Sequence, residues 1–261
     1  MAEGKSLKPK ICVIGAGNVG SHLARVLAGA GNVCQILCRT REHAIPICNE
    51  IGNGCEAIDN PAKLAADADF YIIAVNDDSV GRIVDSTPDF PGIWAHTSGS
   101  VPASVFEGKK SRYGVFYPLQ TFTRDVPVDI TEVPFLIEGN TPEVTDRLLS
   151  LARTISRTVE KADSARRKVL HLAAVFACNF ANLMWLEADD ILRKEELSVR
   201  FFMPLLKATL GKLETISPAD AMTGPARRGD EAVISAHCGM LDDEKRAIYK
   251  LLSDRIMEKF K

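Results

Sequence analysis

Short apolar runs alternate with amphipathic stretches through the first part of the chain, and this alternation predicts strands separated by helices. The runs at residues 10–14, 33–38, 54–58, 69–75, 92–95, 113–117 and 133–138 read as strands, and 158–162 adds a last short one. Helical spacing fills residues 21–30, 42–51 and 61–66, and again 142–156. Continuous β-branched and aromatic runs between helices predict a parallel sheet covered on both faces. Beyond Asp163 only helical periodicity remains, over residues 164–192, 198–215, 218–222, 230–240 and 242–259. Ser217-Pro218 and Thr223-Gly224-Pro225 supply start and stop signals between these helices. The expected architecture is therefore α/β, with an N-terminal doubly wound sheet over residues 1–160 and an all-α domain over 161–261. No Gly/Ser linker separates the two.

The first strand feeds Gly15-Ala16-Gly17-Asn18-Val19-Gly20, and a helical pattern follows at once. In such a G-x-G-x-x-G turn the first glycine permits the tight strand-to-helix reversal. The second lets a pyrophosphate approach the backbone, and the third lets helix and strand pack closely. Strand, motif and helix come in the required order, so a dinucleotide is the expected ligand, held at the positive end of the helix. The nucleotide is selected at the end of the second strand, where a carboxylate would bind the ribose 2′-hydroxyl of NAD. This chain has Arg39-Thr40-Arg41 instead. Two guanidiniums and a hydroxyl suit a 2′-phosphate, so NADP is the expected cofactor.

Composition narrows the class. With 32 Lys and Arg against 34 Asp and Glu in 261 residues, the formal charge of −2 advertises no nucleic-acid surface. The polar opening, Met1 to Lys10, predicts no secretory leader. Seven cysteines, odd in number and without C-x-x-C, point to a reducing cytoplasm rather than to disulfides or zinc. Cys12, Cys34 and Cys178 are expected to act as small hydrophobes. The stretch Val169 to Leu186 holds no Asp, Glu, Lys or Arg and is long enough for a membrane span. Its His171, Asn179 and Asn182 and its many alanines favour a core helix of a helical domain or dimer, not a membrane segment.

Ligands of open α/β sheets bind beyond the carboxyl ends of the strands, which directs attention to the turns there. The fourth strand ends in Val75-Asn76-Asp77-Asp78, with one of the two aspartates expected as a helix N-cap. The fifth ends in His96-Thr97-Ser98-Gly99-Ser100, suited to a substrate or the nicotinamide amide. The sixth ends in Tyr117-Pro118-Leu119-Gln120-Thr121-Phe122. Cofactor contacts are expected from Gly15, Gly17, Asn18, Val19, Gly20, Arg39, Thr40, Arg41, Val75, Asn76, Thr97 and Ser98. Substrate contacts are expected from Ser98, Gln120, Thr121 and Arg228. On a helical wheel Lys168, His171, Asn179 and Asn182 share an arc of about 80°. Buried amides and imidazoles cost about 1–3 kcal/mol each when unpaired, so such a stripe must meet a domain, a subunit or a ligand. Lys168, His171 and Asn179 are the catalytic candidates; His171 reads equally as a satisfied core histidine. The turn Thr223 to Asp230, with Arg227 and Arg228, reads either as an anion site or as a solvated turn capped by Asp230.

Together these motifs resemble the bacterial Rossmann-like proteins whose C-terminal half is the DUF2520 domain. The residues that carry the resemblance are Gly15 to Gly20, His96-Thr97-Ser98-Gly99, Pro118 to Phe122, His171 to Val175 with Asn179, and Gly224 to Asp230 with His237. Tyr117 stands where that pattern has a histidine. The architecture is more distantly similar to pyrroline-5-carboxylate reductase and the β-hydroxyacid dehydrogenases. The latter pair a helical lysine with an asparagine one turn later; here the residue four after Lys168 is Leu172. The resemblance implies an NADP(H)-dependent oxidoreductase that moves a hydride to or from a small carbonyl or imine. The alternatives are a non-catalytic NADP(H) sensor and, less well matched, a methyltransferase. A homodimer through the helical domain is expected, because about 100 residues offer little to enclose so apolar a helix.

Overall fold

The structure, a computed structural model, describes residues 8–261. It divides into two compact units, the first ending at Phe176 and the second running from Ala177 to Lys261.

The first unit is built on eight strands: β1 (Lys10–Ile14), β2 (Asn32–Leu37), β3 (Glu56–Ile58), β4 (Phe70–Ile73), β5 (Ile93–His96), β6 (Tyr113–Pro118), β7 (Phe135–Gly139) and β8 (Val159–Lys161). They lie in the order β3-β2-β1-β4-β5-β6-β7-β8. The first six strands follow the doubly wound order, which reverses between β1 and β4 and opens a crevice there. Helices α1 (Asn18–Ala30), α2 (Ile45–Ile51), α3 (Asp77–Ser86), α4 (Pro142–Arg153) and α5 (Ser164–Ala174) complete the unit. Apolar runs without visible alternation arise because both faces of the sheet are buried. Ile11 and Val13 of β1 join one core cluster with Phe70 and Ile72 of β4, while Cys12 and Ile14 join the other with Tyr71 and Ile73.

Several expectations need correction. The sheet is not wholly parallel, since β7 runs antiparallel to β6, with Pro118 opposite Phe135. The connection between them leaves and returns at the same sheet end, holding only a short 3₁₀ turn (Ile130–Glu132) and no crossover helix. The helix expected over 42–51 splits into a 3₁₀ turn (Arg41–His43) and α2, whose first turn is set by Pro46. The 61–66 helix shortens to a 3₁₀ turn, Pro61–Lys63. Asn76, not Asp77 or Asp78, precedes α3, and both aspartates sit in its first turn.

The second unit comprises α6 (Ala181–Arg193), α7 (Met203–Lys212), α8 (Pro218–Ala221), α9 (Pro225–Arg228), α10 (Glu231–Met240) and α11 (Asp243–Lys259). Side-chain caps from Ser217, Asp230 and Asp242 start α8, α10 and α11. Lys245 Nζ pairs with Glu187 at 2.9 Å, tying α11 to α6.

The stretch expected as one long helix is interrupted. α5 gives way to a π-helical segment, Val175–Phe180, before α6 begins. A π segment bonds i to i+5 and resets the rotation of the chain, so one wheel cannot describe both halves. Lys168, Asn179 and Asn182 are exposed, and the apolar face is not buried within the chain: Val169 is 67% exposed and Leu172 59%. Cys178 is exposed as well, unlike Cys12. By length and composition Ser164–Arg193 would reach across a bilayer, which for one helix is weak evidence. The units divide at Phe176, beyond the boundary read near residue 160, because α5 packs on the sheet. Leu170 sits against Ala103, Val115, Tyr117 and Leu136, and Ser164 Oγ accepts from the Ala103 N–H at 3.0 Å.

Candidate active site

Two adjoining cavities open along the carboxyl ends of the strands, and both are walled by Gly17, Ala74, Val75 and Asn76. The Gly-rich turn explains this floor. Gly15 has φ +115°, and a Cβ there would lie 2.2 Å from the Ala74 carbonyl oxygen. A Cβ on Gly20 would lie 2.1 Å from the Gly15 oxygen, so the turn and α1 pack without a side chain between them. Gly17 differs: a Cβ there would meet nothing within 4 Å. Its open face, at the N-terminus of α1 with no side chain capping the helix, is the approach a pyrophosphate needs.

The cavity on the β2 side has a volume of about 610 Å³. Arg39 and Thr40 line it, together with His43, Asp59 and Arg82, which sequence reading had not singled out. Arg41 does not; its Nε donates to the Ala57 oxygen at 2.8 Å and braces β3. Asp59, at the end of β3, brings a carboxylate that the position after β2 lacks, against three basic side chains on the same wall.

The second cavity, about 480 Å³, lies over the ends of β4, β5 and β6. Asn18, Val19, Asp77, Thr97, Ser98, Gly99, Tyr117, Gln120 and His171 line it, so most residues expected from the strand-end turns do meet. Lys168 and Thr121 are not among its lining residues. Thr121 instead faces Gln120, whose Oε1 accepts from the Thr121 N–H at 2.7 Å. Asn179 and Arg228 belong to the second unit.

Tyr117, which sequence reading gave only as part of a strand-end turn and as a departure from the family pattern, is central to this cavity. Its hydroxyl lies 3.1 Å from His171 Nδ1, and the two rings meet edge to face. Burial holds the Tyr117 phenol above the usual tyrosine range, with the nearby Arg167 charge opposing the shift. It is therefore a neutral phenol at physiological pH. Tyr117 is the next-to-last residue of β6, within the segment Tyr117 to Phe122, so its place near a strand end was the available signal. His171 reaches the pair because residue 99 is glycine: a Cβ there would stand 2.6 Å from His171 Nδ1 and 2.9 Å from its Cβ.

Behind these groups lies a buried frame. Arg167, fully buried, donates to Glu138 Oε2 at 2.5 Å and to the Val101 oxygen at 2.7 Å, while Ser164 Oγ donates to the same carboxylate at 2.8 Å. His96 is fully buried too, and its Nδ1 accepts the Ser98 N–H at 3.2 Å, which leaves the proton on Nε2. Nε2 has no partner among the described residues. Desolvation, helped by the Arg167 charge, pushes the His96 pKa down to about 4. The Ser98 hydroxyl in turn accepts N–H bonds from Ser100 and Val101 at 3.1 and 3.0 Å, which fixes the turn after β5.

Comparison with known proteins bears on the family and the fold. Residues 10–93 match the family described as "NADP oxidoreductase coenzyme F420-dependent", and residues 133–256 match "Domain of unknown function (DUF2520)". A Bacteroides fragilis protein named "putative NADP oxidoreductase" is 38% identical, with a TM-score of 0.89 over 96% of this chain and 98% of its own. A reductive aminase from Aspergillus terreus, solved with NADPH and ethyl-5-oxohexanoate, shares the fold at 17% identity and a TM-score of 0.74, covering 97% of this chain and 94% of its own. An imine reductase from the same organism, solved with NADPH4 and dibenz[c,e]azepine, gives 20% identity and a TM-score of 0.63, covering 97% and 95%. Among curated proteins no sequence match was found.

Proposed function

The chain belongs to the NADP oxidoreductase family that carries a DUF2520 domain, and we propose that it reduces a small carbonyl or imine with NADPH, or in reverse oxidises the corresponding alcohol or amine with NADP+. The observation that carries this reading is the Tyr117–His171 pair in a cavity that shares a wall with the Gly-rich turn. Gly15 to Gly20 hold the pyrophosphate, while Arg39 and Thr40, with His43 and Arg82, favour the 2′-phosphate over the single carboxylate of Asp59. Bound NADPH supplies the hydride. Tyr117 gives its proton to the oxygen or nitrogen of the substrate, and His171 replaces that proton through the 3.1 Å contact. Thr97 and Ser98 would hold the nicotinamide portion of the cofactor, and Gln120 would orient the substrate. Among charged groups this cavity has Asp77 and no lysine or arginine, which favours a neutral carbonyl, or an imine that turns cationic on taking the proton, over a carboxylate-bearing acid. Reductive aminase and imine reductase neighbours, alike in fold, point to the same class.

Purified protein mixed with NADPH and a panel of keto acids and cyclic imines tests the reading, with turnover expected on at least one imine. Tight NADPH binding without turnover on any of them would favour a dinucleotide sensor instead.

The assembly belongs to the same proposal. Val169 and Leu172 of α5, Leu186 of α6, and Leu205 and Leu210 of α7 are each more than half exposed. A second copy packing these helices across a two-fold axis would cover them, and a homodimer follows. The seven unbridged thiols suit a cytoplasmic enzyme. Light scattering at micromolar concentration should give twice the chain mass. A monomer whose C-terminal half resists proteolysis would remove the dimer.

A further inference from the structure

The Gly-rich turn has no cation of its own, since residues 15–20 read Gly-Ala-Gly-Asn-Val-Gly. Within the turn itself, backbone N–H groups and the helix dipole are all that would meet two phosphate charges. Yet a guanidinium stands at this turn, delivered from far along the chain. Arg124, in the connection between β6 and β7, donates from Nη2 to the Ala16 carbonyl oxygen. Two neighbouring residues hold it there. Phe122 packs against the ring of His22 on α1 at 5.1 Å, and the His22 Nε2–H donates to the Thr123 oxygen at 3.0 Å. Arg124 is half-buried. One of its five N–H donors is committed to Ala16, the residue before Gly17, and the guanidinium has four more to offer a ligand at this turn.

We propose that Arg124 is a binding residue for the pyrophosphate of the dinucleotide, its counter-charge at the Gly-rich turn. This inference rests on the cofactor reading above and adds to it a residue that neither the motif nor the resemblance assigns. It makes the β6–β7 connection part of the cofactor site, pinned at Ala16 and His22. It also predicts a signature unlike that of Arg39: loss of Arg124 weakens every ligand with a pyrophosphate, whichever nucleotide it carries.

Titration calorimetry with NADPH, NADH and 2′-AMP, on the wild-type chain and on Arg124→Gln, Arg124→Lys and Arg39→Ala, tests it. Arg124→Gln should raise Kd for NADPH and NADH by the same factor, about tenfold or more, as expected for loss of a charge-assisted bond. Binding of 2′-AMP, which has no pyrophosphate, should stay within about twofold by the same reasoning. Arg124→Lys should recover part of the loss, and Arg39→Ala should instead weaken 2′-AMP and NADPH together. Unchanged NADPH affinity in Arg124→Gln overturns the proposal, as does an equal loss of 2′-AMP, which would mark a damaged turn. A wild-type chain that binds 2′-AMP and no dinucleotide would remove the cofactor reading itself.

Discussion

Gly99 is what allows His171 to stand beside Tyr117. Any side chain at position 99 would occupy space within 2.9 Å of the imidazole, so the turn after β5 and helix α5 touch only because one residue has no Cβ. Replacing Gly99 by Ala should push His171 from Tyr117 and lower kcat by about tenfold or more while leaving NADPH affinity intact, since small misplacements of catalytic groups are costly. Steady-state kinetics beside a binding titration would decide it; equal loss in both would mean the turn, not the histidine, had moved.

Tyr117→Phe removes the hydroxyl and keeps the ring against Ala103, Val115 and Leu136. If the phenol is the proton donor, kcat should fall about 10²-fold or more, with little change in Kd for NADPH. An unimpaired variant would leave His171 as the donor and would be exposed by comparing Tyr117→Phe with His171→Asn.

Arg39 lines the cavity beside the Gly-rich turn, whereas Arg41 is spent on Ala57. Arg39→Asp should weaken NADPH by about ten- to a hundredfold and NADH far less, the size of a lost charge-assisted contact. The same change at Arg41 should act on stability rather than on cofactor preference. Equal losses for both cofactors in Arg39→Asp would end the 2′-phosphate argument.

Removing one partner of a buried ion pair strands the other. Arg167 has a side chain only 1% exposed against 22% for Glu138, so Glu138→Gln leaves the guanidinium buried and uncompensated. It should cost about 3 kcal/mol in urea unfolding, the lower end for broken buried pairs because Glu138 keeps some solvent contact. A loss below about 1 kcal/mol would place the pair among surface bridges.

His96 makes folding pH-dependent in a defined direction. Its folded pKa of about 4 lies below the unfolded value near 6.5, so the unfolded chain binds the extra proton between those limits. Its contribution is complete above pH 6.5 and declines as pH falls toward 4, by about 3 kcal/mol in all. Urea midpoints measured from pH 7 to pH 4.5 should fall less steeply in His96→Asn than in the wild type. Parallel slopes would show that another group carries the acid sensitivity.

The candidate site was legible in part. Glycines at 15, 17 and 20, Arg39 after β2 and the polar strand-end turns announced themselves, because each is a local rule of backbone or charge; Arg41, read the same way, turned instead to Ala57. Tyr117, Arg124, Arg82 and Asp59 did not, because their roles depend on residues far away in the chain. Lys168, exposed, and Arg167, buried, are sequence neighbours of the same charge; only Glu138, 29 residues earlier, tells them apart. The helical wheel drawn through Lys168, His171, Asn179 and Asn182 failed for a similar reason. It assumed one uniform helix, and the π segment Val175–Phe180 changed the rotation midway.

What the sequence alone determined is the class of fold, the α/β to all-α change along the chain, and the dinucleotide turn. These follow from short-range periodicity and from glycine's freedom at φ +115°, which no distant contact needs to supply. What only the tertiary structure decided is which polar groups converge: Tyr117 on His171, Arg124 on Ala16, Arg167 on Glu138. Each pair joins residues 29 to 108 positions apart. Such partners are chosen by strand order, by one antiparallel connection and by the burial that makes an unpaired charge costly, and none of these is written in any local stretch of the chain.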